Sequence, residues 1–216
     1  MALNGKVQAA PPGLIGWDTD AKVDAQAAKD FRSKGFSFCM RYLTRNSNVQ
    51  SGGDLTGSEA AIILQSGLAL GAVQHVARAR AGWKATGALG AQYGANATAN
   101  ARQIGLPDGM NLWLDLENVA NSSSHQDVID YCNNWFSAVD GAGYVSGVYV
   151  GANAILTGDE LFLRLKTRHY WRSGSMVPDI AHRGYQLIQH IAEIDRDVTR
   201  TDTLGGAALL LMPSKG

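Results

Sequence analysis

The run Leu112-Trp-Leu-Asp-Leu-Glu-Asn118 places two carboxyl side chains, Asp115 and Glu117, two residues apart in an otherwise apolar stretch. Alternate residues of a strand share a face, so Asn111, Trp113, Asp115 and Glu117 point one way and Leu112, Leu114 and Leu116 the other. The leucines suit a layer beneath helices. Two acids on the opposite face would be costly in a closed core, because unpaired buried charge is strongly disfavoured, but not at an open mouth. Clustered carboxyls raise one another's pKa, and a partly dehydrated one keeps its proton near neutral pH, as a general acid must. Cleavage of a glycosidic bond is the chemistry that most often needs carboxyls alone.

Further acids fall where such a site would need them: Asp18 and Asp20 near the end of an early strand, and Asp195 and Asp197 on a late one. Asp20 reads better as a cap of the first helix, and Asp197 as a partner of Arg196 or Arg200. Asp18 and Asp195 are the stronger candidates. Trp113 shares the face of the acids and is the leading stacking surface for a sugar ring. Tyr42, Tyr149, Trp171 and Gln189 complete the expected substrate-binding set, with Tyr185 also near a strand end. Strand residues two apart rise about 6.6 Å. That leaves open a retaining route, which wants carboxyls about 5.5 Å apart, an inverting route beyond about 6.5 Å, and assistance by a substrate acetamido group.

Short apolar runs alternate with helix-patterned segments, the signature of repeated β-α units around a mostly parallel sheet. Strands are expected over 13–19, 36–43, 68–76, 112–118, 145–151, 169–173, 184–191 and 194–198, and helices over 20–34, 56–66, 85–104, 123–141 and 152–167. Gly35, Gly67, Gly105 and Gly143 stand as helix stops, and Thr56 with Glu59 fits a capping box. A regular closed barrel of this kind takes about 250 residues. With 216 residues, and little room for helices after Thr167, the expectation is an α/β fold, an irregular TIM-like barrel of eight mostly parallel strands with some helices short or missing. Residues 1–12 read as an N-terminal extension and 13–216 as a single barrel domain.

The 19 basic residues balance the 19 acidic ones, which argues against a nucleic-acid or anionic-lipid surface. Arg78-Ala-Arg80 is too short to change that. No apolar run is long enough for a signal peptide or a membrane span. Cys39 and Cys132 belong to no zinc or redox spacing and read as buried thiols. There is no Gly-x-Ser-x-Gly elbow and no Gly-x-Gly-x-x-Gly turn after the first strand. His75 and His190 fall late in strands, but without a His-x-His or His-Glu-x-x-His pattern a metal-dependent hydrolase is the weaker reading. Neither a cofactor nor a metal is expected.

The ordered set Gly16-Trp-Asp18, Arg41-Tyr-Leu43, Leu55-Thr56 with Glu59, Asp115-Leu-Glu117, Gly143-Tyr-Val-Ser-Gly-Val-Tyr149 and Ile194-Asp195 spans nearly the whole chain. It resembles the bacterial and phage glycoside hydrolase-like barrel domains once filed as a domain of unknown function, which are similar to glycoside hydrolase family 25 lysozymes. The resemblance implies a muramidase acting on peptidoglycan glycan strands, with Glu117 as the catalytic acid, Asp115 its charge-bearing partner, and Asp18 and Asp195 flanking acids. The Asp-x-Glu of the fourth strand is lysozyme-like where many members of the unknown-function group carry Asp-x-Asp, whereas Trp17 and Thr19 depart from the lysozyme opening. A chain of this kind without a secretory signal would reach the wall as a phage endolysin or an injected effector. The rival is a non-catalytic glycan-binding or structural barrel of a phage or secretion system.

Overall fold

The computed structural model describes residues 3–46, 53–76 and 82–214, and the Arg78-Ala-Arg80 run lies outside them. In chain order the elements are β1 (Gly5–Ala9), β2 (Ile15–Thr19), α1 (Ala25–Ser33), β3 (Phe38–Leu43), α2 (Gly57–Gln65), β4 (Ala69–Gln74), α3 (Gly87–Ile104) and β5 (Asn111–Leu116). There follow α4 (His125–Gly141), β6 (Val145–Val150), α5 (Gly158–Leu163), β7 (Tyr170–Arg172), β8 (Leu187–His190), β9 (Arg196–Thr199) and β10 (Leu209–Pro213).

Strands β2 to β9 close into a barrel, each pairing with the next and β9 returning to β2. Seven of the eight run parallel; β9 is antiparallel to both of its neighbours. Only residues 191–195 join β8 to β9. A parallel crossover needs a dozen or more residues, so the chain turns straight back. A helix follows each barrel strand from β2 to β6 and none follows β7 or β8, which is the irregular barrel expected from the sequence.

The alternation along β5 separates two apolar layers. Leu112, Leu114 and Leu116 join the layer between strands and helices, together with Cys39, Leu70, Ile63, Trp135 and Phe136. Trp113 joins the barrel interior with Phe38, Met40, Val73, Trp171 and Leu187. The apolar 206–212 run supplies Ala208 and Leu210 to that interior. Asn111 Oδ1 accepts the Leu209 N–H at 2.6 Å, and Leu211 pairs with Leu70, so β10 closes the end of the barrel where the strands begin. Residues Gly5–Ala9, within the segment read as an extension, pair antiparallel with β10.

Helix boundaries differ from expectation for local reasons. The first helix starts at Ala25, and Asp24 rather than Asp20 caps it by accepting the Ala27 N–H. The fifth spans only Gly158–Leu163, because Asn153 and Ile155 take φ values of 58° and 71°, which a right-handed helix cannot contain. Gly35, Gly67, Gly105 and Gly143 all have positive φ at helix ends, as expected. Thr56 caps α2, but Glu59 turns its carboxylate away from the cap toward Arg41; the full capping box is Thr157 with Glu160. Among the described residues no helix is long and apolar enough to cross a membrane.

Candidate active site

The acids gather where the parallel strands end. Asp18 is the penultimate residue of β2, Tyr42 of β3, Asp115 of β5 and Tyr149 of β6, with Glu117 one residue beyond β5. Reactive groups of such barrels sit at this face. Because β9 runs the other way, its start rather than its end reaches the mouth. Asp195, just before β9, is therefore outermost and half-buried, and Asp197 lies deeper with no exposed surface.

Asp115 and Glu117 stand at different depths. Asp115 is 5% exposed, and among the described residues its Oδ1 has no hydrogen-bond partner. Burial first, and then the neighbouring Glu117, push its pKa well above the ordinary carboxylate range. Glu117 is partly open to solvent, and burial and Asp18 raise its pKa too. Two acids so placed do not both ionise readily at neutral pH. Gly151, directly after β6, makes room for Glu117: a Cβ there would come within 2.5 Å of Glu117 Cβ and 2.8 Å of its Oε2. Trp83 Nε1 donates to the Glu117 carbonyl at 2.8 Å and holds the end of the strand.

A second group forms around Asp18. Its Oδ1 accepts from Tyr42 Oη at 3.2 Å and its Oδ2 from Gln189 Nε2 at 2.7 Å. Burial raises its pKa while the Gln189 bond opposes the shift. Asp197 forms no ion pair with Arg196 or Arg200 among the described residues; its Oδ1 accepts from Trp171 Nε1 at 2.9 Å, inside the barrel. Burial, then Asp18, push its pKa well up. Burial also raises Asp195.

The aromatic residues divide. Trp113 and Trp171 have essentially no exposed surface and meet edge to face at 6.0 Å, so both rings are packed, not presented. Tyr42 and Tyr149 are half-buried at the mouth, Tyr42 stacked on His75 at 4.6 Å and Tyr149 edge-on to Trp171 at 4.7 Å. Tyr185 is buried and donates to the Pro178 carbonyl. Gln189 is 6% exposed and both ends of its amide are occupied by protein. His75 faces Asp54, with 3.0 Å between Nε2 and Oδ1, and His190 is exposed. Among the described residues no cluster of three or more His, Cys, Asp or Glu side chains is arranged to hold a metal ion.

Sequence reasoning undervalued Asp197 and passed over Gly147 and Gly151. The signal for Asp197 was its shared parity with Asp195; that for the glycines was their place in and beside a strand, where a missing side chain marks close approach. A Cβ at Gly147 would lie 2.5 Å from the Trp113 ring.

Residues 29–204 match the family model described as Rv2525c-like, glycoside hydrolase-like domain. Among solved structures, the catalytic domain of endolysin ply40 from bacteriophage P40 of Listeria monocytogenes aligns with a TM-score of 0.61 at 14% identity, over 89% of this chain and 95% of that one. The Mycobacterium tuberculosis Tat-secreted protein Rv2525c, in complex with L-tartrate, aligns with a TM-score of 0.60 at 15% identity, over 88% and 95%. A family 25 glycosyl hydrolase from Bacillus anthracis gives 0.57 at 14%, over 91% and 92%. No curated protein sequence matches the chain.

Proposed function

Because this chain belongs to the Rv2525c-like glycoside hydrolase-like domain family, we propose that it is a peptidoglycan glycan-strand hydrolase of the muramidase type, with Glu117 as general acid. The observation that carries the reading is the position of Glu117: it is the carboxyl of the β5 pair that reaches solvent at the mouth, where burial and the nearby Asp18 raise its pKa. A sugar entering the mouth would dehydrate it further and strengthen its hold on the proton until the leaving oxygen takes it. Asp115 lies buried beneath, its own pKa raised by burial and by Glu117, while Asp18 and Asp195 line the approach of substrate and water. Tyr42 and Tyr149 are the ring surfaces that a glycan can meet. The substrate places the action at the bacterial cell wall.

The competing reading, a barrel that binds glycan without cleaving it, would use the same Tyr42 and Tyr149 surfaces but leaves the carboxyls gathered at the mouth without a task. Release of reducing ends from purified peptidoglycan separates the two. The wild-type chain is expected to release them, and Glu117→Gln, which keeps the shape but removes the proton donor, to release them about 10²–10⁴-fold more slowly. Undiminished release by the variant overturns the assignment, and binding without release by the wild type favours the rival.

A further inference from the structure

Gln189 joins the mouth by three hydrogen bonds whose directions are fixed. The Gly174 backbone N–H, which can only donate, reaches Gln189 Oε1 at 3.1 Å, and Tyr149 Oη lies 2.9 Å from the same oxygen. The amide therefore has one orientation, with Nε2 turned toward Asp18 Oδ2 at 2.7 Å. An amide N–H only donates, so that carboxyl oxygen must accept. Tyr42 Oη supplies a donor at the other oxygen.

Asp197 lies within side-chain hydrogen-bonding reach of Asp18 and has one N–H donor, Trp171 Nε1; among the described residues no further donor reaches its buried Oδ2. Among the described residues, the titratable and charged groups around Asp18 are Cys39, Arg41 and Tyr42 from β3, Asp115 from β5 with Glu117 just beyond it, Tyr149 from β6, and Asp195 just before β9 with Asp197 within it; Arg41 is held by Glu59, Arg45 acts on Asp115, and no ion pair reaches Asp18 or Asp197. With no ion pair at Asp18 or Asp197 among the described residues, the number of donors separates the two carboxyls.

We propose that Gln189 is a positioning residue which makes Asp18 the anion, and Asp197 the proton-bearing acid, of this carboxyl pair. The consequence for catalysis rests on the hydrolase reading above; the assignment itself does not. Burial in the barrel interior and the nearby Asp18 carboxyl also favour the protonated form of Asp197.

Carboxyl-carbon NMR titration of the full chain, labelled at aspartate, tests it. In the wild type Asp18 should titrate below Asp197. Gln189→Leu, which removes the donor, should raise the Asp18 midpoint by about one pH unit or more. Gln189→Glu keeps the shape and both accepting contacts and sets a second acid against Asp18, so it should raise the midpoint as well; it carries the test if the leucine variant does not fold. An unmoved Asp18 midpoint in a folded variant, or Asp197 ionising first in the wild type, overturns the inference. If the wild type hydrolyses peptidoglycan, the pH profile of kcat should move with the Asp18 midpoint, a change that loss of packing alone would not produce. If it releases no reducing ends, the hydrolase reading falls while the titration still decides the role of Gln189.

Discussion

Arg41 Nε donates to Glu59 Oε1 across 2.7 Å, and neither side chain has any exposed surface. The same guanidinium donates to the carbonyls of Thr19, next to Asp18, and of Gly53, while Glu59 Oε1 also accepts the Val23 N–H at 2.8 Å. One ion pair thus ties β3 and α2 to the segment that follows Asp18. Removing a single partner leaves a buried charge uncompensated. Glu59→Gln should therefore lower unfolding stability by about 3–5 kcal/mol, read from urea denaturation; a loss below about 1 kcal/mol would contradict the role given to the pair.

Gly151→Ala should reduce hydrolysis. The added methyl group meets the Glu117 side chain at 2.5 and 2.8 Å and must push it from its place. Reducing-end release should fall at least about tenfold, since small misplacements at a reacting centre cost large factors in rate; because Glu117 Cβ moves only with its backbone, the thermal midpoint should fall as well. Gly147→Ala is the contrasting variant: its methyl meets the Trp113 ring in the sealed interior, where overpacking costs about 1–3 kcal/mol of stability.

Asp197→Asn should stabilise the protein as pH rises. The aspartate has its pKa raised by burial, so the native state holds a proton that the unfolded chain gives up above 3.8. Its contribution is fully present below that pH and is lost as pH climbs toward the raised folded value. An asparagine keeps an acceptor for Trp171 and has no proton to lose. The thermal midpoint of the variant relative to wild type should therefore increase from pH 4 to pH 7; a constant difference would mean that Asp197 does not titrate abnormally.

Both thiols should be silent in the native state. Cys39 and Cys132 have no exposed surface, and burial pushes both pKa values up, which removes the thiolate that reagents attack. A disulfide reagent at neutral pH should label neither until denaturant is added. Prompt labelling of Cys132 would show that α4 opens readily from the barrel.

Much of this molecule was legible in the chain because the relevant signals are local. Period-two alternation in Leu112–Leu116 foretold which residues face the helices, and the glycines at 35, 67, 105 and 143 foretold where helices stop. The placement of Asp18, Asp115 and Glu117 at the ends of strands followed from the same short-range patterns. Where sequence reasoning slipped, a neighbour distant in the chain had decided the matter. Trp113 shares a face with the acids, yet depth along the barrel, which parity does not encode, sets it beneath Trp171 and over Gly147. Asp197 had two arginines close by in sequence, yet closure of β9 onto β2 turned it inward toward Trp171.

By itself, then, the sequence determined the strands and helices from β2 to β9 and the face that β5 presents, since propensity and periodicity act over a few residues, but not the pairing of β1 with β10. The tertiary structure alone decided depth, reversal and partnership. The bond from Gln189 to Asp18 spans 171 residues of chain. Only ring closure brings such groups together, and the desolvation that sets their protonation exists only once the barrel has formed.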